Sequence, residues 1–322
     1  MKKRTVISLI VAAILIVFGG VLVLLGLSYA GSNKDEVVSV QNARAVPVQD
    51  IFDSIRIDTN DCDVTFALLE DGADPYILFQ EQDNVHHDVA IEDKTLNIQM
   101  IDQRRWYDHI GIFHVFGMPK TMEMTVYLPQ KQYSFIQIRT DTGDIAIPQM
   151  FAVTEMTLRS DTGDISCMGT NGDVLDCMTS TGDIAVQCGT LTSVKLQSDT
   201  GDLSASVFAC DEMHLKTNTG EVDVLNVTAQ GFTCSTDTGD VELEQVLTTD
   251  YLQIRTATGD VEVDDCDAGR VDIETDTGDV SGHFLTAKWF SASSNTGRVS
   301  VPDTKEGGDC RIKTDTGSIR FE

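Results

Sequence analysis

The sequence predicts an all-β chain: a right-handed parallel β-solenoid (β-helix) of about ten 19–20-residue coils. An irregular β-rich N-terminal cap and one transmembrane helix come before it. Three observations predict this. A Thr-Gly step recurs at Gly143, Gly163, Gly182, Gly201, Gly220, Gly239, Gly259, Gly278, Gly297 and Gly317, a fixed spacing of 19 or 20 residues, and such a period marks a stacked repeat whose coils bury a shared core. The residues around each glycine alternate apolar and polar, the period of a half-buried strand. Ser or Thr stands three residues before every glycine, and Thr immediately before it.

The chain opens Met1-Lys2-Lys3-Arg4, and an almost unbroken apolar run extends from Val6 to Leu27. That is about the 20 residues a membrane-spanning helix needs. Basic residues precede it and Asp35-Glu36 come after it, so the positive-inside rule puts the N-terminus in the cytoplasm and the rest outside. Residues 1–30 are therefore read as a cytoplasmic tip and membrane anchor. Ser28-Tyr29-Ala30 resembles a signal-peptidase site, but the apolar core is longer than the 7–15 residues usual for a signal. Residues 31–47 read as a juxtamembrane linker.

Residues 48–134 read as a β-rich cap. Ile55 to Thr59 and then Asp63 to Phe66 copy the two-strand pattern, with Cys62 where glycine should stand, and so form a degenerate first coil. Further strands are expected at 76–80, 95–100 and 121–128. Between the last two, Trp106 to Phe116 is unusually apolar and aromatic. It reads as a hairpin over the open end of the core, or as a contact patch.

Residues 135–322 are the repeats. The positions seven and five before glycine are mostly apolar (Ile136/Ile138, Val194/Leu196, Leu252/Ile254), as are those two and four after it (Val222/Val224, Val241/Leu243). The position seven after it (Met150, Phe208, Val227, Val246, Leu285) marks a further inward point. An antiparallel meander would separate equivalent positions by an intervening strand. A solenoid stacks them about 4.8 Å apart, which suits invariant hydroxyl columns forming ladders. Residues 288–322 carry six basic side chains against five acidic ones. They read as a charged end that discourages edge-to-edge growth, or else as a docking face.

Three of the 23 basic residues lie in the first four positions, and all 51 acidic residues lie after position 33. The expected exterior thus holds 20 positive and 51 negative charges, which argues against nucleic acid as a partner. The eight cysteines are not spaced as a disulfide framework. Cys167, Cys177, Cys234 and Cys310 fall in inward columns, and Cys177 and Cys234 share a column three coils apart, beyond disulfide reach. Two acidic columns flank the corner: Asp141, Asp161, Asp199, Asp237, Asp276 and Asp315 two before glycine; Asp144, Asp164, Asp183, Asp202, Glu221, Asp240, Asp260 and Asp279 after it. Calcium between coils would relieve their repulsion, but turn chemistry and a solvated face explain the same residues without a metal. Coils held to 19 or 20 residues leave little room for a catalytic cleft. The six histidines (86, 87, 109, 114, 214, 283) show no ligand spacing, and His86 and His87 should face opposite ways in a strand. No catalytic, cofactor-binding or metal residue is assigned, no cofactor is expected, and the chain is not read as an enzyme.

The repeated S/T-D-T-G-D-[IV] units, with the anchor and the degenerate β segment before them, resemble a bacterial putative-adhesin family with DTGD-type β-strand repeats, over about residues 50–322. The resemblance implies an extracytoplasmic, non-enzymatic adhesin or surface-binding protein, with an envelope or extracellular protein or a glycan as partner. The alternative it implies is a structural or regulatory envelope protein, an envelope-stress accessory that uses the rod as a spacer.

Overall fold

The structure is a computed structural model that describes residues 43–70, 72–81, 85–103 and 122–322. The expected membrane helix, the aromatic stretch Trp106–Phe116, His109 and His114 lie outside the described residues. The chain divides into two compact units: Met1–Ala43 with Gln103–Lys120, and Arg44–Asp102 with Thr121–Glu322. Of the first, only Ala43 and Gln103 are described. Every regular element among the described residues is a β-strand. No helix long and apolar enough to cross a membrane occurs among them.

The second unit is a solenoid of parallel, in-register coils. Strands Ile184–Thr200, Leu203–Thr219, Val222–Thr238 and Val241–Thr258 lie side by side, offset by one repeat. The threonines before the glycines face one another across successive coils: Thr162 with Thr181, Thr181 with Thr200, Thr200 with Thr219 and Thr219 with Thr238. Period-2 alternation sends Val194 and Leu196, Leu252 and Ile254, and Val271 and Ile273 inward, all buried in one core. Each such side chain contributes roughly 2 kcal/mol relative to exposure.

The corner explains the glycine. A Cβ at any of the ten would sit 1.8–2.3 Å from the carbonyl oxygen of the neighbouring coil's corner residue. Seven of them, from Gly182 through Gly278 together with Gly317, also hold φ between 145° and 156°, a region costly to any side chain. Cys62 fills this column in the 54–68 coil, with its carbonyl against Gly143.

The hydroxyl column is not a hydroxyl ladder. Each Ser or Thr three before glycine donates instead to the corner carbonyl of the adjacent coil. Ser160, Thr179, Ser198 and Thr217 do so to Gly143, Gly163, Gly182 and Gly201, at 3.0 Å each. The pattern runs to Thr314 on Gly278 and Ser294 on Gly317. The corner carbonyl is a buried acceptor, and an unpaired one would be expensive. Satisfying it is what keeps the column to hydroxyl residues.

Sequence order and stacking order part company at both ends. Strand Ser54–Asp58 lies between Thr95–Asp102 and Gln132–Thr140, parallel to both. Cys62–Leu68 lies likewise between Met122–Leu128 and Ile145–Ile147. Beyond them, Val85–Glu92 folds back antiparallel on Thr95–Asp102 through Asp93 and Lys94, both at positive φ, as a two-residue hairpin requires. Ala43–Pro47, at the end of the expected linker, is a strand paired with Tyr76–Gln80. At the other end the last strand of the long face, Gly308–Thr316, inserts between Arg270–Thr277 and Lys288–Thr296. The final coil is thus held on both sides and the 288–300 coil is outermost. Phe284, Phe290 and Phe321 close that end, with ring centroids 5.2–6.3 Å apart.

Two expectations change accordingly. The basic residues of 288–322 do not fringe an edge as a group. Lys288 is buried, paired with Asp267 and donating to Ala268 O at 2.8 Å, while Lys313 pairs with Glu274 at 3.0 Å. The inward point after the corner also shifts. Phe208, Val227 and Val246 are buried, whereas Met150 and Leu285 are exposed and Phe151 and Phe284 face inward in their place. Cys188, Val207, Asn226, Gln245 and Asp265 form a second corner column at φ 51–62°. The coils of Met150 and Leu285 lack that left-handed residue, so their side-chain parity slips by one.

Candidate functional site

The acidic column after the glycine is spent on the backbone. Oδ1 of Asp144 accepts the amide of Asp164, and the bond repeats from Asp164 to Asp183, Asp183 to Asp202 and Asp202 to Glu221, each at 2.8 Å. It starts at Asp63 with Asp144 and resumes from Asp240 through Asp260 and Asp279 to Ser318. These carboxylates therefore replace a rung of the ladder at the corner, where the backbone turns. Among the described residues, no group of three or more His, Cys, Asp or Glu is placed to hold a metal ion. The cysteines are all free, and every one but Cys188 is buried. Burial pushes the thiols of Cys234 and Cys310 up to about 12, so they are inert side chains of the core.

A polar cluster at the N-terminal end has no counterpart in the sequence pattern. His87 is 1% exposed, with Nδ1 3.1 Å from Glu81 Oε1 and Nε2 2.9 Å from Thr59 Oγ1. Arg44 grips Glu81 with two bonds of 2.9 and 3.0 Å and donates to His87 O at 2.8 Å. Phe79 stacks on the imidazole at 5.1 Å. Burial lowers the His87 pKa despite the Glu81 carboxylate. Glu81 is lowered too: burial opposes this, but the bonds from Arg44 and His87 outweigh it. The Thr–His–Glu order resembles a nucleophile relay. Thr59 is itself buried, however, and the cluster acts as a clasp between Ala43–Pro47, Ser54–Asp58 and Val85–Glu92. His86, its neighbour, faces outward as alternation requires.

The exposed feature suited to binding lies at the other end, and the exchange of the last two coils builds it. Four outward residues succeed one another in register across neighbouring strands: Tyr251, Arg270, Asp309 and Trp289. The next outward row reads Gln253, Asp272, Arg311 and Ser291. Arg270, Asp272, Trp289, Ser291, Asp309 and Arg311 of these rows line an open groove of about 700 Å³. A smaller hollow of about 220 Å³ continues it to Tyr251 and Thr233.

Each side chain has a local reason for its place. Tyr251 lies over Gly231, where a Cβ would come 2.5 Å from the ring, and its hydroxyl donates to Glu212 at 2.6 Å. Asp272 is flanked by Arg255 at 3.3 Å and Arg311 at 3.5 Å. Glu274 sits between Lys313 and Arg255, whose bonds hold its carboxyl below its usual range. Among the described residues Arg270 finds no ion pair or side-chain hydrogen bond, and Trp289 is 58% exposed. Trp289 and Tyr251 occupy an outward column eight residues before the corner glycine. Aromatics in a polar column are the signal the sequence offers, but only the stacking order brings that row together.

The family model described as Toastrack DUF4097 matches residues 52–226 and 208–322, and the chain belongs to that family. No curated protein matches it significantly. Among solved structures it is similar to a putative adhesin from Bacteroides fragilis, with 18% identity, 87% of this chain and 96% of that one covered, and a TM-score of 0.41. Another from Parabacteroides merdae gives 10%, 87%, 96% and 0.47. One from Parabacteroides distasonis gives 11%, 86%, 95% and 0.48.

Proposed function

We propose that this Toastrack-family chain is a membrane-anchored, extracytoplasmic surface-binding protein of the adhesin type and not an enzyme. The observation that carries the reading is the division of labour among its polar side chains. The repeated hydroxyls and carboxylates hold the coils together, while the groove from Tyr251 to Trp289 leaves Arg270 and Trp289 free at the surface. An exposed tryptophan beside an unpaired guanidinium suits contact with a partner. The groove is open, and its Asp272 carboxylate is paired with cations, an arrangement for holding a partner rather than for proton transfer. The apolar run Val6–Leu27 behind a basic tip supports the anchor, and the acidic exterior supports solubility outside the membrane.

The test uses intact cells that make the full chain. Protease added outside should remove the 135–322 region. The same cells should be captured on immobilised envelope and extracellular material more strongly than cells lacking the chain. Protection from protease in intact cells, or equal capture of both, refutes the reading.

A further inference from the structure

We infer that the groove between Tyr251 and Trp289 binds a neutral glycan chain laid across the strands, Trp289 stacking on one sugar ring and Arg270 donating to hydroxyls. This rests on the surface-binding reading and names its ligand class.

The geometry selects the class by elimination. Tyr251, Arg270, Asp309 and Trp289 are consecutive in register, so the two aromatic residues stand three strand spacings apart, about 14 Å. That suits a short extended oligomer better than a single small molecule. A peptide added as a strand would need a free edge facing the groove; the outermost strand, Lys288–Thr296, is paired on its groove side with Gly308–Thr316 and open only beyond Trp289. Arg270–Thr277 is paired on both sides, and so is Gly308–Thr316. An anionic polymer would need excess positive charge. The groove balances Arg270 and Arg311 against Asp272 and Asp309, on a chain of formal charge −28 whose field repels anions. A cation finds Asp272 already paired with Arg255 and Arg311, which leaves Asp309 alone among the groove's two carboxylates, and no group of three His, Cys, Asp or Glu among the described residues is placed to hold a metal ion.

What fits is a molecule with an apolar face and many hydroxyls, which are both donors and acceptors. A pyranose ring offers its C–H face to an exposed indole. Guanidinium groups supply planar sets of donors, and the carboxylates and the Gln253 carbonyl supply acceptors. The paired strands fix the backbone positions from which these side chains project, so only side-chain ordering is needed on binding.

The test titrates the purified full-length chain with cellohexaose, mannohexaose and chitohexaose, and with hexagalacturonate as the anionic probe. Heat and tryptophan fluorescence are followed. At least one neutral hexasaccharide is expected to bind. Trp289→Ala and Arg270→Ala should each weaken it about tenfold with unchanged melting, and Lys195→Ala, farther along the same face, should leave it unaltered. Binding that Trp289→Ala leaves intact overturns the proposal. So does binding of hexagalacturonate alone, or of none of the four at millimolar concentration. If cells still show chain-dependent capture in any of those cases, surface binding stands and only the ligand assignment falls.

Discussion

Replacing Gly220 by alanine tests the corner most severely. The added Cβ would lie 2.0 Å from Gly201 O and 2.5 Å from Gly201 C, at a residue whose φ is +154°. Two costs combine. Backbone strain at such φ is about 1–3 kcal/mol for a residue with a Cβ. Relieving the overlap means pushing two coils apart at the corner. That disturbs the 2.9 Å bond from Gly220 N to Thr238 O and the 3.0 Å bond from Thr217 to Gly201 O, each worth about 1 kcal/mol. The total is about 3–5 kcal/mol, a large part of an ordinary domain's stability. Two controls separate the contributions. Gly72 has φ +84° but open space around its Cβ position, whereas at Gly143 the Cβ would lie 2.0 Å from Cys62 O without a left-handed φ. Denaturant unfolding monitored by circular dichroism should rank Gly220→Ala as most damaging, Gly143→Ala next and Gly72→Ala least. A Gly220→Ala protein no less stable than Gly72→Ala would refute the claim that close coil contact dictates the glycine.

Three further outcomes are expected. His87 is held below its ordinary value of 6.5 by burial. The unfolded chain therefore takes up that proton first as pH falls, and stability should drop below about pH 6.5; His87→Gln should flatten the slope between pH 7 and 5 in denaturant midpoints, and an unchanged slope refutes it. Val207 holds φ 62° with a β-branched side chain, 48% exposed. Val207→Asn, the residue at the equivalent Asn226, should raise stability by about 1 kcal/mol, and a lower midpoint would contradict the assignment of strain. Of the eight thiols only Cys188 is not buried, so native labelling with iodoacetamide should modify one cysteine per chain, and several modified at equal rates would show a looser core.

Most of the coil is legible in the sequence because each coil repeats the same physical problem. Alternation marks the inward columns of Leu252, Ile254, Val222 and Val224, all buried, and the invariant glycine marks the tight corner. The acidic column reads as turn chemistry, and its partner is the amide of the next coil. What the sequence hides depends on long-range order. Nothing local announces that Gly308–Thr316 slips inside Lys288–Thr296, since both strands carry the same repeat. The groove cannot be assembled without that exchange. The role of His87 is invisible because its partners, Glu81, Thr59 and Arg44, are scattered along an irregular stretch with no period. The second corner is hidden because Cys188, Val207, Asn226, Gln245 and Asp265 share a backbone conformation and no side-chain chemistry.

Distances between spin labels on the exposed corner threonines probe the stack itself. From Thr181, five steps lead through Thr200, Thr219, Thr238 and Thr258 to Thr277, then one to Thr316 and one more to Thr296. The stacked coils predict about 24, 29 and 34 Å in that order, with Thr316 nearer than Thr296. Distances that fail to grow evenly by one strand spacing, or Thr296 nearer than Thr316, would contradict the stacked coils and the end exchange that forms the groove.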